Sequence, residues 1–200
     1  MRLITFEDFR DLYLKAVQRG FDFILSKFSI SKSSRTKSSF NNINIQASNW
    51  WIIPEVKKRW NKMITNDPNI TYEEFISTIF FHDSKPLKIL SIGSGICSHE
   101  ISLAKLNPHW EVLCVDFSNN LLEKAKKNAE AKEINNISFL VEDIYKSNLP
   151  NDYFDIVFFH SSLHHFKNLK EFIPQKVISK LVKNGILIIN EYVGPNRLQY

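Results

Sequence analysis

Apolar positions in this chain follow two rhythms, and the change falls near residue 86. Ahead of it, Phe6, Phe9, Tyr13, Val17, Phe21, Ile24 and Phe28 recur every three or four residues, the spacing of a single helical stripe. Gly20 interrupts the stripe and divides it in two. A second helix is expected from Pro54, a residue suited to the first helical position. Val56, Trp60, Met63 and Ile64 follow at helical spacing, and Asp67-Pro68 closes the helix. Thr71 with Glu74 reads as a capping box that starts a third helix running to about Phe81.

Beyond Leu87 short apolar runs alternate with helical stretches. The runs are 89–92, 112–115, 137–141, 156–159 and 186–189, and the helices lie near 98–106, 118–132 and 169–183. The runs are continuous rather than alternating, so they predict strands covered on both faces, hence a parallel sheet between helical layers. Five strands in β-α order predict a Rossmann-like, doubly wound, mostly parallel sheet, preceded by an α-helical region. The division expected is a helical part over 1–85 and a sheet-bearing core over 86–200. The Ser-, Lys- and Asn-rich stretch from Ser29 to Asn44 marks a flexible linker near 29–48.

Charge sharpens the division. Residues 1–62 hold 12 Lys/Arg against 5 Asp/Glu, whereas the rest hold 14 against 16. The basic N-terminal part suits weak contact with an anionic membrane surface or with nucleic acid, and equally a solvated helix face. No stretch approaches the roughly 20 apolar residues of a membrane span. Glu7, Asp8, Arg10 and Asp11 break any apolar run of the signal-peptide kind. Cys97 and Cys114 are too few for a disulfide framework and sit in apolar settings, which points to a reducing cytoplasm.

Candidate chemistry gathers at the strand ends, where open α/β sheets bind ligands. The first strand runs into Gly93-Ser94-Gly95 and then a helix. Glycines there allow a sharp turn and close approach of a ligand to the backbone, although a tight β-to-α turn alone would use them too. Asp116, 21 residues beyond Gly95, ends the second strand, where a carboxylate accepts both hydroxyls of a ribose or caps the next helix. A dinucleotide site would carry a third glycine at the position of Ser98. An adenosyl ligand without a pyrophosphate does not need it. Glu142-Asp143-Ile144 ends the third strand, and His160-Ser161-Ser162-Leu163-His164-His165 follows the fourth. His160 and His164, four apart, could ligate a metal if that stretch were helical. No Cys or carboxylate cluster lies close in sequence to complete such a site, so no metal is expected.

Taken in order and spacing, these segments resemble the successive motifs of class I S-adenosylmethionine-dependent methyltransferases over about residues 86–195. Trp50-Trp51-Ile52-Ile53-Pro54 and Glu191-Tyr192-Val193-Gly194-Pro195 are similar to bacterial small-molecule methyltransferases of the type 11/12 kind. The resemblance implies S-adenosyl-L-methionine as cofactor. Gly93, Ser94 and Gly95 would lie along its methionine part, Asp116 on the ribose and Phe117 against the adenine. Asp143 and Ile144 would border the adenine amino edge, and His160 and Ser161 would face the sulfonium and acceptor. His160 and His164 are the candidate bases, with the pair His164-His165 also shaping its loop. One departure is Ser91, which stands where an acid often precedes the glycine turn.

The resemblance also implies two further strands, an antiparallel pair beside the fifth. The sequence ends at Tyr200, so it reads as a core lacking that pair, with an exposed apolar edge at 186–189. The function expected is methyl transfer to a small molecule, with the N-terminal helices as lid and acceptor selector. Two alternatives stand beside it. One is a truncated cofactor-binding protein of weak or no activity. The other is a nucleic-acid methyltransferase, disfavoured because the loop after the fourth strand lacks an Asn/Asp-Pro-Pro-Tyr motif.

Overall fold

The computed structural model describes residues 5–19, 53–81 and 85–191. The linker near 29–48, Trp50 and Trp51, and the 192–195 segment lie outside the described residues. The chain divides into two compact units, Met1–Pro54 and Glu55–Tyr200.

In the first unit, α1 spans Phe6–Arg19. Asp8 reaches back to accept from the Thr5 backbone N–H at 2.9 Å, satisfying one of the donors a helix start leaves open. The expected stripe is present as far as Val17, where Phe6, Phe9, Tyr13 and Val17 are exposed; Gly20, Phe21, Ile24 and Phe28 lie outside the described residues.

The helix α2, Pro54–Thr65, starts at the last residue of the first unit and otherwise belongs to the second. Thr71 then caps α3, Tyr72–Phe75, by accepting from Glu74 N–H, and the Glu74 carboxylate reciprocates at the Thr71 N–H, so the capping box forms as its sequence dictates. The helix continues as a π-turn over Ile76–Phe80.

The sheet follows: β1 Lys88–Ile92, α4 Ser98–Leu106, β2 Glu111–Asp116, α5 Asn119–Glu130, β3 Ile137–Val141 and β4 Phe154–His160. A 3₁₀ turn over Leu163–His165 leads to α6, Leu169–Phe172, which passes through π and 3₁₀ turns as far as Lys180 before β5, Leu181–Asn190. All described pairings are parallel, in the order β3-β2-β1-β4-β5. The continuous apolar runs have the burial they imply at the centre: Ile89, Leu90 and Ile92 of β1 and Ile156 to Phe159 of β4 are essentially inaccessible. Leu90, Ile92, Val157 and Phe159 pack with Val115, Phe154, Ile144, Phe172, Val177 and Leu181 in one core cluster. Outer strands β3 and β5 are only half-covered, with Val141 and Ile189 exposed.

One boundary differs from expectation. The last helix stops at Lys180 rather than 183, and β5 begins five residues before its apolar run. Leu181 pairs with Phe154, yet the next partners are Ile156 and Ile186, so residues 182–185 bulge out between two points of contact. Asn184, at φ 65°, makes the bend, and Leu181 closes the core below it.

The topology places the site. The chain lays β2 and β3 on one side of β1, then crosses to β4 on the other, so the strand order reverses between β1 and β4. Loops leaving the carboxyl ends of neighbouring strands diverge there and open a crevice.

Candidate functional site

The turn after β1 is built on left-handed backbone, with Gly93 at φ 71° and Gly95 at φ 56°. Gly93 N–H donates to Val115 O at 2.8 Å, which fixes the turn against β2. A Cβ on Gly93 would sit 2.9 Å from the Ser162 Cβ, so the loop after β4 packs directly on this glycine. Ser162 locks that contact, its hydroxyl donating to Ile92 O at 2.8 Å. Gly95 is different: nothing lies within 4 Å of where its Cβ would be. Open space over a backbone this bare is what a ligand lying along the turn requires.

Asp116 ends β2 with its side chain almost buried. Its Oδ2 accepts from Gly95 N–H at 2.9 Å and its Oδ1 from Ser118 N–H at 2.8 Å. The carboxylate therefore ties the glycine turn to the start of α5, and the helix-capping and ligand-holding readings of this residue coexist. An ionised carboxylate offers about four acceptor directions, so two remain for hydroxyl donors. Phe117 beside it is half-buried, and the strand ends are held level by Glu142 N–H donating to Asp116 O at 3.0 Å. Asp143 is exposed and accepts from Tyr145 N–H at 3.1 Å, whereas Ile144 is buried in the core cluster.

His160 ends β4, and Ser161 after it is exposed at φ 49°. His160 and His164 do not share a helix, because one closes a strand and the other lies on the 3₁₀ turn, so the spacing of four does not aim them at a common metal. Each has its own polar neighbour. Tyr72 O–H lies 2.9 Å from His160 Nδ1, and the His164 Nδ1 lies 3.0 Å from Glu191 Oε2.

The surroundings of His160 had no expectation attached. Its ring stacks on His99 at 3.7 Å between centroids, and His99 Nδ1 lies 2.6 Å from Glu73 Oε1. Tyr72 stacks over the same group, 5.7 Å from His160 and 6.4 Å from Phe158. Burial, reinforced by the charge of His99, lowers His160 to about 4, so it is neutral at ordinary pH. Burial would raise Glu73, but the hydrogen bond and charge of His99 outweigh it and leave the carboxyl below its usual range. Tyr72 is pushed up by burial and then by Glu73 and Glu100, so its phenol stays protonated.

Ser91, where an acid was expected, is itself met by one. Its hydroxyl donates to Glu100 Oε1 at 2.7 Å, and burial raises the Glu100 carboxyl. The acid arrives from α4 instead of β1, a substitution no local pattern announces. Cys97, at φ 53° before α4, and Cys114 on β2 are buried free thiols.

A family model for the methyltransferase domain matches residues 83–199. The chain belongs to that family. It is 33% identical over 106 residues to a release factor glutamine methyltransferase of Francisella tularensis, covering 49% of this chain and 37% of that protein. Against a protein-L-isoaspartate O-methyltransferase of Shewanella woodyi it is 29% identical over 107 residues, covering 54% of this chain and 46% of the relative. The chain thus spans less than half the length of these curated relatives. A solved phosphoethanolamine N-methyltransferase 2 of Haemonchus contortus, in complex with S-adenosyl-L-methionine, superposes with TM-score 0.52 at 22% identity, over 58% of this chain and 27% of that one. A SAM-dependent methyltransferase of Aquifex aeolicus gives TM-score 0.50 at 16% identity, over 74% and 78%.

The crevice of this methyltransferase domain suits S-adenosylmethionine: a bare glycine turn for an extended chain, and a fixed, nearly buried carboxylate with acceptor directions to spare for ribose hydroxyls. Among the described residues no helix is long and apolar enough to cross a membrane, and no three His, Cys, Asp or Glu side chains converge as a metal site would require.

Proposed function

We propose that this methyltransferase acts on a small-molecule acceptor, bound between the glycine turn and the wall made by α3. The observation that carries the reading is Tyr72, which reaches from α3 to hydrogen-bond and stack on His160, so the chain's own residues enclose the acceptor side of the crevice. A large acceptor would need that side open. The stretch after β4, His160-Ser161-Ser162-Leu163, also lacks the Asn/Asp-Pro-Pro-Tyr motif suited to planar amino groups.

In this arrangement Gly93, Ser94 and Gly95 line the methionine part of the cofactor and Asp116 holds the ribose. Phe117 flanks the adenine, and Asp143 with the Ile144 backbone borders its amino edge. His160 and Ser161 face the sulfonium. S-adenosylmethionine supplies a methyl group already attached to a good leaving group, so the protein's task is mainly alignment, worth effective molarities of roughly 10⁵–10⁸ M. Neutral His160 orients the acceptor by hydrogen bonding, and His164 stands ready as a base. The buried free thiols Cys97 and Cys114 favour a reducing cytoplasm as the working compartment.

Incubation with methyl-tritiated S-adenosylmethionine, against a small-molecule panel and against RNA and protein acceptors, tests the reading. Label entering low-mass products supports it. Label entering only RNA or protein refutes it, and S-adenosylhomocysteine binding without turnover on any acceptor would instead mark a binding protein.

A further inference from the structure

We propose that Glu191 and His164 form a carboxylate–imidazole pair that removes the proton from a hydroxyl acceptor, which makes oxygen the methylated atom. The inference rests on the methyl-transfer reading above and adds to it the acceptor class.

Glu191 directly follows β5, and its side chain is only 8% exposed. One carboxylate oxygen accepts from the Leu163 backbone N–H and the other faces His164 Nδ1 at 3.0 Å. Two contacts to one 3₁₀ turn fix the carboxylate in place. An ionised carboxylate only accepts hydrogen bonds, so Nδ1 must carry the proton, and the Nε2 lone pair is left free. The imidazole itself is 55% exposed, hence open to a ligand. The adjoining Ser162 is bolted to Ile92 O and packs on Gly93, so the turn carrying His164 is rigidly joined to the glycine turn. An orienting acid behind an imidazole with a free outer nitrogen is the geometry of a general base.

His160 is poorly suited to the same task. Its Nδ1 is engaged with Tyr72, its ring is stacked on His99, and its surroundings oppose a positive charge. Among the described residues, the charged and titratable groups that face His164 are Glu191 from the end of β5 and His165 on the same turn, whose ring lies 4.0 Å away. Asp116 also acts on His165.

A neutral amine already presents its lone pair, whereas a hydroxyl gains nucleophilicity as its proton leaves. As the acceptor oxygen bonds to the methyl carbon, its proton passes to His164 Nε2, and the electron pair of the breaking C–S bond stays on sulfur. The products are a methyl ether, S-adenosylhomocysteine and an imidazolium that returns its proton to water. Glu191 is a positioning residue here, with His164 the group that touches the acceptor.

The test uses the full chain with matched phenols and anilines as acceptors, tritiated S-adenosylmethionine, and nitrogen-15 NMR of the imidazoles. His164 is expected in the Nδ1–H form, and Glu191→Ala should release that preference. His164→Gln should slow phenol methylation about 10²–10⁴-fold while S-adenosylhomocysteine affinity stays within twofold. Glu191→Gln should lower kcat for phenols with KM little changed, and Glu191→Asp should restore part of it. Phenol transfer undiminished in His164→Gln, or anilines methylated in preference to phenols, would overturn the proposal. If no acceptor turns over, the methyl-transfer reading fails, and an Nε2–H tautomer at His164 would independently dismiss the pair.

Discussion

Asp116 is the residue whose removal the structure makes most consequential, because one side chain holds the fold and faces the ligand. Asp116→Ala deletes the partners of Gly95 N–H and Ser118 N–H, at 2.9 and 2.8 Å. Hydrogen bonds to a charged acceptor are worth about 1.5–3 kcal/mol each. The carboxylate is 7% exposed, so water reaches the vacated donors and recovers part of that. A net loss of about 2–4 kcal/mol is expected, which lowers Tm by roughly 5–15 °C for a chain of this size. The two remaining acceptor directions of the carboxylate serve the ribose, and losing them should weaken S-adenosylhomocysteine binding about 100-fold, or roughly 3 kcal/mol.

Scanning calorimetry measures the first effect and titration calorimetry, at a temperature where the variant remains folded, the second. A distorted glycine turn would also weaken binding, so a 2′,3′-dideoxy analogue of the ligand completes a cycle. The wild type should discriminate strongly between the two ligands and Asp116→Ala should scarcely do so. If the variant retained full discrimination, or bound S-adenosylhomocysteine within twofold of wild type, the ribose assignment would be wrong.

Two other perturbations separate structure from ligand contact. Gly93→Ala and Gly95→Ala both place a side chain on left-handed backbone, at about 1–2 kcal/mol each. Only Gly93→Ala also drives a Cβ to 2.9 Å from Ser162, so it should lower Tm further. Gly95→Ala, which meets no protein atom, should leave Tm nearer wild type yet abolish cofactor binding; retained binding would mean the cofactor does not lie over it. His160 titrates at about 4 when folded against 6.5 when free, so the unfolded chain binds the extra proton first. Stability should therefore fall as pH drops from 6.5 to 4, by up to about 3 kcal/mol. His160→Gln should flatten that part of the curve in urea melts, and an unchanged slope would assign it to other groups, with His165, also lowered by burial, the first to examine.

What the sequence made legible was whatever chain neighbours encode. The runs at β1, β2 and β4 identify themselves because both faces of a central parallel strand are buried, and the Thr71–Glu74 box because its partners are three residues apart. The glycine turn and Asp116 are legible for a related reason: each ends a strand at the sheet's carboxyl edge, and parallel register alone brings them together. The start of β5 was not. Leu181 follows Val177 and Ile178 at helical spacing, and only its pairing with Phe154 across a bulge makes it strand. His160 and His164 show the same ambiguity of period, since a spacing of four carries meaning only on a helix and one of them closes a strand.

Contacts that decide chemistry lie at sequence distances no pattern reports: 26 residues from Glu73 to His99, 27 from His164 to Glu191 and 88 from Tyr72 to His160. Yet Glu73 had a faint local mark. In the box begun by Thr71 the reciprocal acid is Glu74, so the acid beside it was left without a capping role on a different face of the helix. It is buried and bonds to His99, whose ring stacks on His160. The two histidines also differ in where the neighbouring carboxylate sits. Glu73 bonds to His99, the ring stacked on His160, while Glu191 faces His164 itself. Two residues of one type, four apart in sequence, thus sit in different surroundings, His160 under stacked rings and His164 open to solvent beside its acid.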